Sequence, residues 1–163
     1  MSSTEEVAQL TDLSTDGSQF LTFMLQDEEF GIEILRVQEI KGLARITPIP
    51  NMPSYIRGVM NLRGTVVPII DLRTKFDMPE AEYNQFTVII VVTIGDKVTG
   101  LVVDAVSDVL NVAENNIEPA PDLGIEADTS FMTGIAKSGE RLITLLNMDE
   151  LVNVDSVSMQ TAS

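Results

Sequence analysis

A chain of 163 residues with 25 acidic and 10 basic side chains carries a formal charge of −15, which argues against nucleic acid and anionic membrane as partners. It contains no Cys and no His, so disulfides, thiolate zinc sites, imidazole bases and a Ser-His-Asp triad are all unavailable. Its 44% hydrophobic content is dominated by Val, Ile and Leu rather than aromatics, which points to one all-β domain with short helices.

Residues 1–18 are polar and acidic and read as a flexible arm; with no basic stretch before an apolar run, they do not form a secretory signal. A single domain is expected over 19–154, followed by a loose tail at 155–163. Segments 20–25 and 30–34 flank Gln26-Asp27-Glu28-Glu29 as a hairpin, and 88–94 and 98–103 flank Gly95-Asp96-Lys97 as another. The unbroken apolar run at 88–92 predicts a strand covered on both faces, and it is far short of the ~18 residues of a membrane span. Pro53-Ser54-Tyr55-Ile56-Arg57 predicts one or two helical turns, capped by Asn51, ended by Gly58 and burying Tyr55, Ile56 and Val59. Strands are expected at 65–72 and 141–148. Asp71 would cap the segment after the first, and Asn147 with Glu150 would form a capping box after the second.

Two of these stretches repeat. Gly31, Ile32, Ile34, Val37, Glu39 and Ile40 return 69 positions later as Gly100, Leu101, Val103, Val106, Asp108 and Val109. Tyr55, Gly58, Ile69 and Asp71 return at an offset of 76 as Phe131, Gly134, Leu145 and Asn147, the larger offset reflecting an extra loop near 122–129. A duplicated unit predicts two similar subdomains, and a residue found in only one copy is a functional candidate. Arg63 is such a residue, because Asn61-Leu62-Arg63-Gly64 is answered by Lys137-Ser138-Gly139-Glu140. Its planar fork suits a carboxylate, and Glu39 is the acid the pattern offers. Val37, Ile40, Val106 and Val109 either pack in the core or line a groove where the subdomains meet.

A two-lobed β protein with one carboxylate per lobe raises the rival reading of an acid-dyad hydrolase. Against it, the partner of Asp71 is Asn147, which cannot share a proton as a second acid would, and the Asp-Thr/Ser-Gly turn is missing. The acidic stretches 27–29 and 122–128 lack the ligand spacing of a calcium loop, so no metal is expected, and no glycine-rich loop suggests a nucleotide or other cofactor.

The ordered series Phe30-Gly31-Ile32, Val37-Gln38-Glu39-Ile40, Asn61-Leu62-Arg63-Gly64, Val67-Pro68-Ile69-Ile70-Asp71-Leu72-Arg73 and Val106-Ser107-Asp108-Val109-Leu110 resembles the CheW family of chemotaxis coupling proteins. The resemblance implies two intertwined five-stranded SH3-like barrels, no catalysis and no cofactor. It implies a cytoplasmic adaptor that joins the tips of methyl-accepting chemotaxis receptors to the histidine kinase CheA and reaches receptor arrays only through protein contacts. Receptor binding would fall to Val37, Glu39, Ile40, Arg63, Val106 and Val109. Kinase binding would fall to the loop holding Glu118, Asp122 and Leu123.

Overall fold

The computed structural model describes residues 17–79, 82–119 and 131–151. Residues 1–16 of the expected arm, the extra loop with Asp122 and Leu123, and residues 152–163 with the expected tail lie outside them, while Gly17 and Ser18 of that arm open the first strand. Eleven strands form two sheets among the described residues. In chain order they are β1 (Gly17–Leu25), β2 (Glu28–Glu33), β3 (Val37–Gly42), β4 (Ile56–Leu62), β5 (Thr65–Asp71), β6 (Val88–Ile94), β7 (Lys97–Val103), β8 (Ala105–Ala113), β9 (Ile117–Pro119), β10 (Met132–Ser138) and β11 (Arg141–Leu146). One short helix, α1 (Leu72–Lys75), follows β5, and a helical turn at 148–151 follows β11.

The five-stranded sheet, order β3-β6-β7-β5-β4, is barrel one; the six-stranded sheet, order β8-β1-β2-β11-β10-β9, is barrel two. The sequence copies and the barrels do not coincide. The hairpin β6–β7 of the second copy completes barrel one, and the hairpin β1–β2 of the first copy completes barrel two. This exchange gives the repeat its physical meaning. The two parallel pairings among the described residues set Gly31 opposite Leu145 and Gly100 opposite Ile69, the same positions shifted by the offsets of the duplication. A Cβ on Gly100 would lie 2.6 Å from Ile69 Cδ1, and one on Gly31 would lie 3.2 Å from Leu145 Cδ2, so close strand approach explains both glycines. The antiparallel edges match too: Ile40 faces Ile90, Val109 faces Leu21, and each ladder shifts register one step further on. The sixth strand of barrel two, β9, corresponds in barrel one to a single bridge between Thr47 and Val59.

Each barrel has its own apolar core, around Val67, Ile69 and Ile89 in barrel one and around Phe20, Ile143 and Leu145 in barrel two. A third and larger core is shared, built from Leu21, Phe23, Ile32, Ile70, Ile90, Leu101 and Leu146 among others. Fully burying each such side chain stabilises by about 1.5–3 kcal/mol, so much of the molecule's stability lies between the barrels. Four rings cross that centre in series: Phe23–Phe30, Phe30–Phe76 and Phe76–Phe131, with centroids 6.0, 5.6 and 4.8 Å apart. The strand β6 is covered on both faces as expected, with Ile89, Ile90, Val91 and Val92 all buried.

Three local expectations are corrected. The first hairpin closes through the two residues Gln26 and Asp27, with Gln26 at φ 57°, and Glu28 and Glu29 already belong to β2. The segment 53–57 is no helix: Ile56 opens β4, and Gly58 sits at a bulge with φ 144° where a Cβ would lie 2.1 Å from the Thr47 carbonyl oxygen. Ile56 is therefore buried on one strand face while Val59 lies on the other, half-buried. Asn147 does accept the Glu150 amide at 3.2 Å, but its own N–H goes to the Phe131 carbonyl at 2.6 Å, so the reciprocal half of a capping box is not made.

Candidate functional site

Among the described residues the sheet orders leave β3 and β8 as terminal strands, each paired on one side only, and both carry the predicted receptor-facing residues. Val37 on β3 and Val106 on β8 are half-buried, and each packs against the shared core. Ile40 and Val109, at equivalent positions on the two strands, stay 46% and 49% exposed. Exposed aliphatic residues at matched positions on two edge strands each offer a spot that a partner can cover.

Glu39 is brought to Arg63 as the pattern predicts. Leu62 and Thr65 close a two-residue hairpin in which Arg63 and Gly64 take φ 51° and 90°, a left-handed pair that projects Arg63 outward. Asn61 Oδ1 accepts the Gly64 amide at 2.8 Å and stiffens the turn. Arg63 Nη2 then donates to Glu39 Oε2, bridging from the β4–β5 turn to the opposite edge strand of the same sheet. That hydrogen bond holds the Glu39 carboxyl below its ordinary value and the Arg63 guanidinium above its own. With Arg63 66% exposed, the pair is a charged feature on the surface.

The equivalent acid in barrel two, Asp108, is bound up differently. Arg141 donates to it at 3.2 Å, and the Thr22 hydroxyl does so at 2.8 Å, and these bonds lower its pKa in that order. Arg141 also pairs with Glu29, and the two acids together raise it well above its usual range. Glu118, the described member of the kinase-facing set, is exposed on β9 and pairs with Lys137. Asp122 and Leu123 lie outside the described residues.

Sequence reasoning missed a polar network behind α1. Asp71 is buried; its Oδ1 accepts the Arg73 and Thr74 amides at 3.0 and 3.4 Å, the cap expected of it. Its Oδ2 accepts Arg57 Nε at 3.2 Å and the Tyr83 hydroxyl at 2.8 Å. Nearby, Arg73 Nε donates to Asp104 Oδ1 at 2.8 Å, and Asp104 Oδ2 accepts the Gln26 amide at 2.8 Å. Burial pushes the Asp104 carboxyl up, but Arg73 and the Gln26 amide outweigh it and hold it below the usual range. The readable signal was the difference between copies, since Arg57 and Asp71 answer to Thr133 and Asn147. An acid engaged by one guanidinium, two amides and a phenol is a structural hub. No group of three or more metal-ligating side chains occurs among the described residues, and no helix among them is long and apolar enough to cross a membrane.

Two SH3-like barrels joined through a common core, with open edge strands carrying the copy-specific charge pair, define a paired-barrel scaffold domain. The chain belongs to the CheW-like domain family, which it matches over residues 19–156. It is 45% identical to chemotaxis protein CheW of Klebsiella aerogenes over 145 residues, 89% of this chain and 87% of that protein. It is 40% identical to chemotaxis protein CheW of Rhizobium meliloti, over 85% of this chain and 90% of that one. The crystal structure of scaffolding protein TtCheW from Thermoanaerobacter tengcongensis superposes with a TM-score of 0.75 at 37% identity, covering 80% of this chain and 88% of that chain.

Proposed function

We propose that this protein is a non-catalytic chemotaxis adaptor that couples the cytoplasmic tips of chemoreceptors to the histidine kinase CheA, so that receptor state controls the kinase. It works in the cytoplasm and meets the membrane only through receptor arrays. The observation that carries this reading is the pair of open edge strands in a member of the CheW-like family: Val37, Glu39 and Ile40 on β3, joined by Arg63, and Val106 and Val109 on β8. A receptor helix with an apolar stripe fits Ile40 and Val109, while the Glu39–Arg63 pair fixes its register through charge. The kinase takes a separate surface containing Glu118, Asp122 and Leu123, because a bridge holds both partners at once.

The test is titration of a receptor cytoplasmic fragment and of CheA, separately, against Glu39→Arg, Arg63→Glu and the double reversal. Each single reversal is expected to weaken receptor binding, and the double to recover part of the loss, as a coupled pair does in a double-mutant cycle. Unchanged receptor affinity in folded single variants rejects the surface, and strict additivity rejects the pair as a unit.

A further inference from the structure

Side chains alternate along a strand, so two residues three positions apart point to opposite faces unless the ladder is interrupted between them. Val37 and Ile40 on β3 are three apart, as are Val106 and Val109 on β8, yet each pair shares a face. Val106 stands opposite Phe23 and Val109 opposite Leu21; Val37 stands opposite Val92 and Ile40 opposite Ile90. Those four hairpin residues all belong to the shared core, and residues directly opposite one another in a ladder lie on one face of the sheet. The extra residue is absorbed by a register shift between Val106 and Val109 in β8, and by one between Val37 and Glu39 in β3. The two bulges therefore decide whether these aliphatic residues act as pairs.

In barrel two a threonine holds the bulge. Ser107 and Asp108 together span the place opposite Thr22, which is fully buried. The Thr22 hydroxyl accepts the Asp108 amide at 3.1 Å and donates to Asp108 Oδ1 at 2.8 Å, standing in for the ladder bond that the extra residue interrupts. Arg141 also donates to the Asp108 carboxylate, but a guanidinium has no acceptor to offer the amide. At the offset of 69 the equivalent of Thr22 is Val91, which has no hydroxyl, and barrel one pins its bulge differently: the Thr93 hydroxyl donates to Gln38 Oε1 at 2.8 Å. That pin is an exposed contact between two side chains, whereas Thr22 grips the backbone of β8 itself.

We propose that Thr22 is a positioning residue for the β8 half of the partner-binding surface: its hydroxyl fixes the bulge at Ser107-Asp108, and the bulge keeps Val106 and Val109 on one face. A slip of β8 by one residue against β1 would turn Val109 to the other face. Among the described residues β1 is the one strand paired with β8, so β1 sets its register. Thr22 is buried and touches no partner; it acts by raising the population of the binding-competent edge, with which apparent affinity scales. This rests on the receptor reading of β3 and β8 and adds the group inside the scaffold that sets the geometry of that surface.

Amide hydrogen exchange by NMR and calorimetric titration of a receptor cytoplasmic fragment, both on the full chain, test it. Thr22→Val keeps the shape and removes the hydroxyl; Thr22→Ser keeps the hydroxyl and removes a buried methyl. In Thr22→Val the Asp108 amide is expected to exchange roughly tenfold faster while the Ile32 and Leu145 amides hold, and receptor affinity to fall about three- to tenfold, the span of one net hydrogen bond. Thr22→Ser is expected to bind within about twofold of the parent, an order that a loss of general stability would reverse. Val109→Ala is the reference for the surface. If it weakens binding and Thr22→Val does not, or if Thr22→Ser loses as much as Thr22→Val, the proposal is overturned and the receptor surface stands. An Asp108 amide that exchanges in Thr22→Val as in the parent also overturns it. If Val106→Ala and Val109→Ala both bind like the parent, the receptor reading of β8 fails and takes the proposal with it.

Discussion

Barrel one and barrel two tether their post-strand helices with opposite charge, at equivalent helix positions (Arg73 and Asp149) and at hairpin-exit positions one residue out of step (Asp104 and Arg36). In barrel one, α1 supplies the cation: Arg73 is tied to Asp104 in the segment after β7. In barrel two, the helical turn supplies the anion: Asp149 accepts from Arg36, in the segment after β2, at 3.3 Å. Both tethers fasten a post-strand helix to the exit of the exchanged hairpin. The Arg73 tether is a multiply bonded, largely buried fork, whereas the Arg36 tether is a single exposed contact. The same holds at the edges, where Glu39 pairs outward with a turn arginine and Asp108 is absorbed into a network with Thr22, Arg141 and Glu29. Duplication therefore repeats the scaffold, and the side chains at equivalent points make its two halves distinguishable to a partner.

The sharpest way to break this comparison is at the crossing glycines. Gly58 combines φ 144° with a Cβ position 2.1 Å from the Thr47 carbonyl, whereas a Cβ on Gly134 would meet the Glu118 carbonyl at 2.5 Å without the unusual φ. Gly58→Ala is expected to destabilise by about 3–5 kcal/mol in urea unfolding, and Gly134→Ala by clearly less. Equal losses would show the two crossings to be equally rigid.

Next in size are the exposed positions Ile40 and Val109. Replacing either by Asp puts a charge where an apolar anchor is proposed, and a central anchor loses about 2–4 kcal/mol of receptor affinity. Calorimetry on the folded variants reads this. A loss at only one site assigns the receptor to one barrel's edge, and no loss at either removes the groove.

Asp71→Asn should cost about 1–3 kcal/mol of stability, because Arg57 loses its buried carboxylate while the cap survives. In barrel two, Asn147→Asp should change stability by less than about 0.5 kcal/mol, since the two residues cap comparably. Chemical denaturation of the pair of variants checks the contrast, and similar values for both would erase it.

Titration separates the barrels more gently. Burial, then the bond to Asp71, pushes the Tyr83 phenol up to about 12 from 10.0. A folded value above the unfolded one supports the fold below about pH 10 and loses that support as pH climbs towards 12. The ring is 40% exposed, so solvent reduces the effect. Tyr83→Phe should flatten the alkaline limb of the stability profile. On the acid side Asp104 and Asp108 both lie below 3.8, so their contribution is present above that value and fades as pH falls through their lowered pKa values, one for each barrel. An unchanged alkaline limb in the variant would dissociate Tyr83 from it.

The smallest effect concerns the extra loop of the second copy. Leu123→Arg should leave receptor affinity within about 1 kcal/mol of the parent while weakening CheA binding. A larger loss towards the receptor reverses the assignment of that loop.

What the sequence made legible follows from which contacts repeat. The hairpins at β1–β2 and β6–β7, the cap at Asp71 and the Glu39–Arg63 pair all showed themselves as an echo or as a break in one. The segment 53–57 misled because Asn51, Pro53 and Gly58 carry the signals of a short helix. Its fate is decided elsewhere: the Tyr55 carbonyl accepts the Asp71 amide at 2.7 Å, and β5 draws Ile56 onward into a strand. The hub around Asp71 was hidden because Arg57 and Tyr83 stand 14 and 12 positions away from it, with no periodicity linking them. The exchange of hairpins was not written in the offsets alone, which are the same whether each copy closes on itself or lends a hairpin to the other.

That exchange also sets an order of birth. Barrel one is one uninterrupted stretch, β3 through β7, and barrel two is gathered from either side of it. A ribosome adding about 5–20 residues per second releases every strand of barrel one while the first hairpin still waits for its neighbour. Glu29 and Arg141, which pair across the β2–β11 seam, are 112 positions apart, so the wait is on the order of 5–20 s. During it the inner edge of β2 has no partner in its own barrel, and closure then depends on the long-range pairing that folds slowest. A newly made molecule thus passes through a stage with one finished barrel and one open one.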